Sequence, residues 1–233
     1  MKDFSNKYIF IFSVVMVVSV AILLSLTALL LQPRQNKNIE VEKKMNILSS
    51  INVASTKENA KELYDKHIRK SFVINTEGKH IDGVDAFTVT LRNEQKKPLA
   101  EQYLPVFIAV DDSGDTLQVF PVEGKGLWGP IWGYISLNDD METIAGVTFE
   151  HKGETPGLGA EINTTPFESQ FHNKSLYENG SFVSIKVVKG GAVKGDPHEV
   201  DAISGGTITS KGLEAMVHDC LIKYDKYLSQ NRK

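Results

Sequence analysis

Tyr8 to Leu31 is an unbroken non-ionic run, YIFIFSVVMVVSVAILLSLTALLL. At about 1.5 Å per residue, a helix of this length reaches ~36 Å, enough to cross a bilayer core with tilt. The run is too long for the apolar region of a signal peptide, and no small-x-small cleavage site follows it. No cysteine stands at its end to take lipid. It predicts a permanent single-span anchor. Helical period then recurs twice. From Asn38 to about Val53 it places Val41, Met45, Leu48 and Ile51 on one side. From Lys57 to Lys70 it groups Ala60, Leu63, Tyr64, His67 and Ile68. On that face His67 reads as a packed imidazole rather than a ligand.

The pattern then changes to short β-rich runs. These are Ala86–Leu91, Tyr103–Val110, Thr116–Val122, Trp132–Leu137, Ile144–Phe149 and Ser181–Val188. Asp111-Asp-Ser-Gly-Asp115 and Asn138-Asp-Asp140 read as turns between neighbours. The first of these lacks the glycine and glutamate spacing of a calcium loop. Pro105 marks an edge strand or a strand start. Thr165–His172 predicts a short helix, capped by Thr164 or Thr165, with Pro166 at its first position. From Lys211 to Leu228 the stripe Leu213, Met216, Val217, Cys220, Leu221, Tyr224, Tyr227 and Leu228 predicts a well-specified helix, with Thr209 or Ser210 as N-cap. Strands in series with helices grouped at the ends give an α+β fold. It has one N-terminal transmembrane helix and a largely antiparallel sheet.

The candidate chemistry lies just before that last helix. Asp201-Ala-Ile-Ser204-Gly205-Gly206-Thr207-Ile-Thr209-Ser210 is glycine-loosened and dense in hydroxyls. Helix amino-termini carry unpaired N–H groups and partial positive charge, which attract phosphate. Read alone, the residues fit a turn and a capped helix as well as a site where phosphate is held or joined.

The run Asp201–Thr207 resembles the flavinylation motif Asp-x-x-Ser-Gly-Ala-Thr of FMN-binding domains, with Gly206 where alanine is usual. Glu154-Thr155-Pro156-Gly157-Leu158-Gly159-Ala160-Glu161 resembles a second segment of these flavoproteins. Gly124-Lys-Gly-Leu127-Trp128-Gly-Pro-Ile-Trp-Gly133 is similar to a stretch of the C subunit of the sodium-translocating NADH:quinone oxidoreductase. The order and spacing of all three fit that family. The resemblance implies FMN joined through its phosphate to Thr207 by a flavin transferase. The phosphate would sit among Ser204, Gly205, Gly206, Thr209 and Ser210. From the residues themselves, the bare Pro-Gly backbone of 154–159 reads as a ring-contacting loop, with Glu154, Thr155, Leu158 and Gly159, or as an ordinary surface turn, and Leu127 and Trp128 read as flavin cover or as core or subunit-interface packing. The resemblance also implies partner subunits, a membrane lipid environment, and an electron-transfer role in a complex that moves electrons from NADH to quinone and exports sodium. The related G subunit of the Rnf complex and a non-catalytic membrane-anchored scaffold domain are the alternatives.

Composition narrows the rest. The 233 residues carry a formal net charge of −3, too mild and too mixed to suggest nucleic acid. Cys220 is the only cysteine, so no internal disulfide forms, and its place on the apolar stripe reads as a buried thiol. The six histidines show no metal-binding pairing, and we assign no metal. Ala202-Ile-Ser204-Gly-Gly206 is a degraded nucleophile elbow, but the segment before it is loop-like and neither His198 nor His218 is placed as a base.

The expected organisation is a short cytoplasmic tail (1–7), an anchor (8–31), juxtamembrane helices with the first part of the outer domain (32–123), and a covalent FMN-binding domain (124–233). Lys2 and Lys7 precede the span, while Arg34, Lys37, Lys43 and Lys44 follow it. The positive-inside rule therefore does not favour an outer carboxyl domain. The resemblance implies the opposite, a periplasmic domain on the cell inner membrane, and partner subunits can settle topology.

Overall fold

A computed structural model describes residues 5–232. Most of the expected tail, Lys2 included, lies outside the described residues. The chain forms two bodies, Met1–Lys43 and Lys44–Lys233.

The first helix, α1 (Asn6–Ser50), runs unbroken through Pro33. The anchor and the first juxtamembrane helix are thus one element, although proline lacks the amide hydrogen an interior position normally donates. α1 is long and apolar enough to cross a membrane. α2 (Ala60–His67) is shorter than the sequence implied, and β1 (Ile68–Ile74) starts directly after it. His67 is buried at that junction, and its Nδ1 lies 2.6 Å from the Val110 carbonyl. β2 (His80–Ile81) follows.

The expected strand at 86–91 does not form. Asp85 instead gathers the backbone, its carboxylate accepting the Phe87 N–H at 2.9 Å and its carbonyl the Thr88 N–H at 3.0 Å. Such local bonds compete with a sheet ladder. A short α3 (Leu91–Glu94) ends the segment.

Four long strands then match the sequence reading: β3 (Leu104–Val110), β4 (Thr116–Lys125), β5 (Pro130–Leu137) and β6 (Ile144–His151). Asp111 Oδ1 accepts the Ser113 and Asp115 N–H groups in the β3–β4 turn. The sheet order is β2-β1-β3-β4-β5-β6, antiparallel throughout. Pro105 therefore stands near the start of an interior strand, not on an edge.

Beyond β6 come α4 (Thr165–Glu168), with Pro166 in its first turn, and a 3₁₀ turn Ser169–Phe171. Thr164 occupies the N-cap without a side-chain bond. The run 181–188 is split into β8 (Ser181–Phe182), paired with β7 (Tyr177–Glu178), and β9 (Lys186–Val188). Ser184 causes the break, with φ +63 and its N–H donated to the Leu176 carbonyl. β10 (Glu199–Asp201) pairs in parallel with β9.

Period-two alternation divides the main sheet between two cores. One face carries Leu104, Val106, Phe120, Ile131, Ile135 and Phe149 against α5 (Thr207–Leu221) and α6 (Asp225–Asn231). Tyr224, between these helices, donates its hydroxyl to the Pro105 carbonyl at 3.0 Å. The other face carries Val73, Phe107, Ala109 and Val119 against Ile47, Leu48 and Ile51 at the end of α1. Burial on both faces explains why 104–110 reads as one continuous apolar run. The open edge of β6 is occupied by side chains and loop: the Phe149 N–H donates to Glu168 Oε1, Asn52 and His172 meet the Ala145 carbonyl, and the Ile144 N–H reaches the Lys174 carbonyl.

Candidate functional site

The three motif segments, distant in sequence, meet on the α5 face of the sheet. The turn between β4 and β5 closes through the Gly126 N–H to the Gly129 carbonyl at 2.8 Å and displays Leu127 and Trp128. The 154–161 loop follows β6, with Thr155 exposed and its carbonyl accepting the Leu158 and Ala160 N–H groups, both at 3.1 Å. The third segment is the start of α5.

Their meeting point is Glu154, which is 5% exposed. Its Oε1 accepts the Trp128 N–H at 2.9 Å, and its Oε2 accepts the Thr209 hydroxyl at 2.6 Å. Its own N–H donates to His151 Nδ1 at 3.2 Å. The glycines on either side leave room for nothing else. A Cβ on Gly126 would stand 2.5 Å from Oε1, and one on Gly159 would stand 2.5 Å from Oε2.

α5 begins at Thr207, four residues earlier than expected, with Gly206 as an N-cap that offers no side chain. Neither Thr209 nor Ser210 caps it. Both are buried, Thr209 donating to Glu154 and Ser210 accepting the Ile203 N–H at 3.1 Å. The first-turn N–H groups are thus left to an outside partner. Residues two apart on a helix point about 200° from one another, so an inward Thr209 turns Thr207 outward. Thr207 and Ser204 are exposed. Gly205 sits at φ +74, where a Cβ would stand 2.4 Å from Leu158 Cδ2, a conformation and a closeness that favour glycine.

The three segments also expose large apolar side chains. Leu127 is 46% exposed, Trp128 68%, Leu158 41% and Ile208 59%. Ile208 escaped the sequence reading. It lies about 140° round the helix from Leu213, off the buried stripe, and an off-stripe isoleucine in a first turn was the available signal. His151 was missed because nothing in the sequence pairs it with Glu154. Lys211 is engaged by Glu214 at 2.8 Å. The rival serine-hydrolase arrangement gains no base: His198 Nδ1 meets the Ser175 carbonyl and His218 Nδ1 meets Asp219. A separate groove of about 540 Å³ lies between the end of α1, β6 and 163–172, and contains none of the motif residues.

These residues fit a phosphorylated, flat, largely apolar ligand. An exposed hydroxyl stands at an uncapped helix start, with bare backbone and large uncovered apolar side chains beside it.

Residues 126–222 match the model of the FMN-binding domain family. The C subunit of the Na(+)-translocating NADH-quinone reductase of Vibrio vulnificus is 31% identical over 212 residues, covering 83% of this chain and 82% of the relative. Its counterpart in Pseudomonas aeruginosa is 30% identical over 234 residues, covering 88% of each. The crystal structure of the Parabacteroides distasonis C subunit superposes with a TM-score of 0.78 at 42% identity, over 85% of this chain and 96% of that one. Shewanella oneidensis NqrC gives 0.70 at 29% identity, over 82% and 97%.

Proposed function

Because this chain belongs to the family of Na(+)-translocating NADH-quinone reductase C subunits, we propose that it is the electron-transfer subunit of such a complex and holds FMN covalently, through its phosphate, on Thr207. Bound FMN would supply the redox chemistry, and the polypeptide supplies placement, shielding and electrostatic tuning. The observation that carries the reading is Thr207 itself, exposed at the uncapped start of a fifteen-residue helix.

The residues divide the work. The Thr207 Oγ takes the phosphoester, and the positive end of α5 favours the remaining phosphate charge. Leu127, Trp128 and Leu158 give the ring apolar cover, and Ile208 extends that surface. Gly206, where FMN-binding domains usually carry alanine, leaves room for Ile203, whose Cγ2 would stand 3.0 Å from a Cβ there. The matched relatives are C subunits, which favours this assignment over the G subunit of the Rnf complex.

α1 would hold the protein in the cell inner membrane as a single span with the flavin-bearing body in the periplasm. A flavin transferase would modify it, and the other subunits of the complex would exchange electrons with it. The test is the intact mass of the chain purified from its native host, followed by peptide mapping. The expected result is a gain of one FMN less one water on the peptide containing Thr207. A bare peptide and a colourless protein would leave a membrane-anchored scaffold as the better reading.

A further inference from the structure

Glu154 has the position of a strut rather than a ligand. Its two carboxyl oxygens are spent inside the protein, one on the turn that displays Leu127 and Trp128 and the other on the helix that displays Thr207. The loop that carries Glu154 also carries Leu158. One buried side chain therefore links every segment assigned to the ring and the acceptor. Thr209 is 1% exposed, and Gly126 and Gly159 close on the two carboxyl oxygens, so the bridge is enclosed and closely packed.

We propose that Glu154 is a positioning residue. By bonding the Trp128 N–H and the Thr209 hydroxyl at once, it sets the rotation of α5 relative to the 126–129 turn and so fixes where a flavin on Thr207 meets its apolar cover. This rests on the reading that Thr207 carries FMN. On this proposal Glu154 acts on the ring through α5 and the 126–129 turn, in place of the direct ring contact expected from the sequence. Its removal is expected to spare the attachment and lose the order of the ring.

The test uses the full chain, coproduced with its transferase, as wild type and as Glu154→Ala, Glu154→Gln and Thr209→Val. The readouts are labelling by intact mass, visible circular dichroism of the flavin, which reports a fixed asymmetric surrounding, and hydrogen exchange at the Trp128 amide. Glu154→Ala is expected to remain labelled while its visible dichroism falls several-fold and the Trp128 amide exchanges faster. Glutamine can accept from Trp128 and donate to Thr209, so Glu154→Gln is expected to keep most of the wild-type signal. Thr209→Val, which breaks one arm, should fall between them. A labelled Glu154→Ala with wild-type dichroism overturns the inference. So does Glu154→Gln behaving like alanine, since the bridge would then not be what matters. If Glu154→Ala does not fold, Thr209→Val decides, and full wild-type dichroism there overturns the inference too. A wild-type chain bare at Thr207 is a different failure, that of the flavin reading itself.

Discussion

The two faces of the main sheet are built on opposite principles. The face toward the end of α1 is filled by aliphatic and aromatic volume, with Leu48 and Phe107 fully buried. The face toward α5 has such a core at its centre, but at its rim backbone approaches backbone through glycines and a buried carboxyl joins three segments. The first arrangement suffers when atoms are removed. The second suffers when atoms are added. The flavin motifs lie entirely in the second, where side chains had to be left out so that something else could be brought close.

The sharpest break in this comparison removes the acceptor hydroxyl. Thr207→Ala is expected to abolish in-gel flavin fluorescence completely, without shifting the melting temperature, because the side chain is exposed. Thr207→Ser keeps the hydroxyl but loses the β-branch that restricts it, and partial labelling is expected by mass. On the opposite face, Leu48→Ala should cost about 2–5 kcal/mol in chemical denaturation, the range for cavities in packed cores. Labelling per folded molecule should stay at the wild-type level. If Leu48→Ala also removes the flavin, the two faces are not independent.

Gly126→Ala reverses the experiment. Its Cβ would meet Glu154 Oε1 at 2.5 Å and Ile131 Cγ2 at 3.0 Å, and overpacking of this kind costs about 1–3 kcal/mol. Here the stability loss should come with a looser flavin, measured as lower fluorescence anisotropy. The same alanine in an open turn, at Gly153, meets no atom within 4 Å and should leave the flavin as it was.

The smallest effect lies at the sheet edge, where the faces join. Burial raises the carboxyl of Glu168 above its ordinary value, partly offset by the Phe149 N–H it accepts and reinforced by Glu150. A raised folded value means that the native state binds more protons, so stability falls as pH rises from the ordinary carboxyl range through the folded value. One group contributes a slope of at most about 1.4 kcal/mol per pH unit. Glu168→Gln should flatten that segment of the stability–pH curve, measured by denaturation between weakly acid and neutral pH.

Legibility in the sequence followed the same divide. The four long strands β3 to β6 were readable because dense β-branched and aromatic runs bounded by Asp- or Gly-containing turns leave little choice of element. The site segments were readable as motifs, and their convergence was not, because a bond such as Thr209 to Glu154 spans 55 positions. Errors gathered where local and long-range signals disagree. In 86–91 an alternating pattern gave way to the turn bonds of Asp85. β1 begins with exposed Arg69, Lys70 and Ser71, which hide its strand character and let the helical count run on through Ile68. At 207–210 the hydroxyls looked like caps, and burial turned two of them to other partners. The polar stretch after Leu31 separates two apolar patterns, yet α1 carries both as one helix.

The guarded rim of β6 has a practical corollary. A sheet margin invites a second copy to add on when its amides and carbonyls are free. Here Glu168, Asn52, His172 and the Lys174 carbonyl already use those at Phe149, Ala145 and Ile144. Loss of these blockers would matter most while the chain is concentrated and awaiting its partners, when strand-to-strand growth competes with proper assembly.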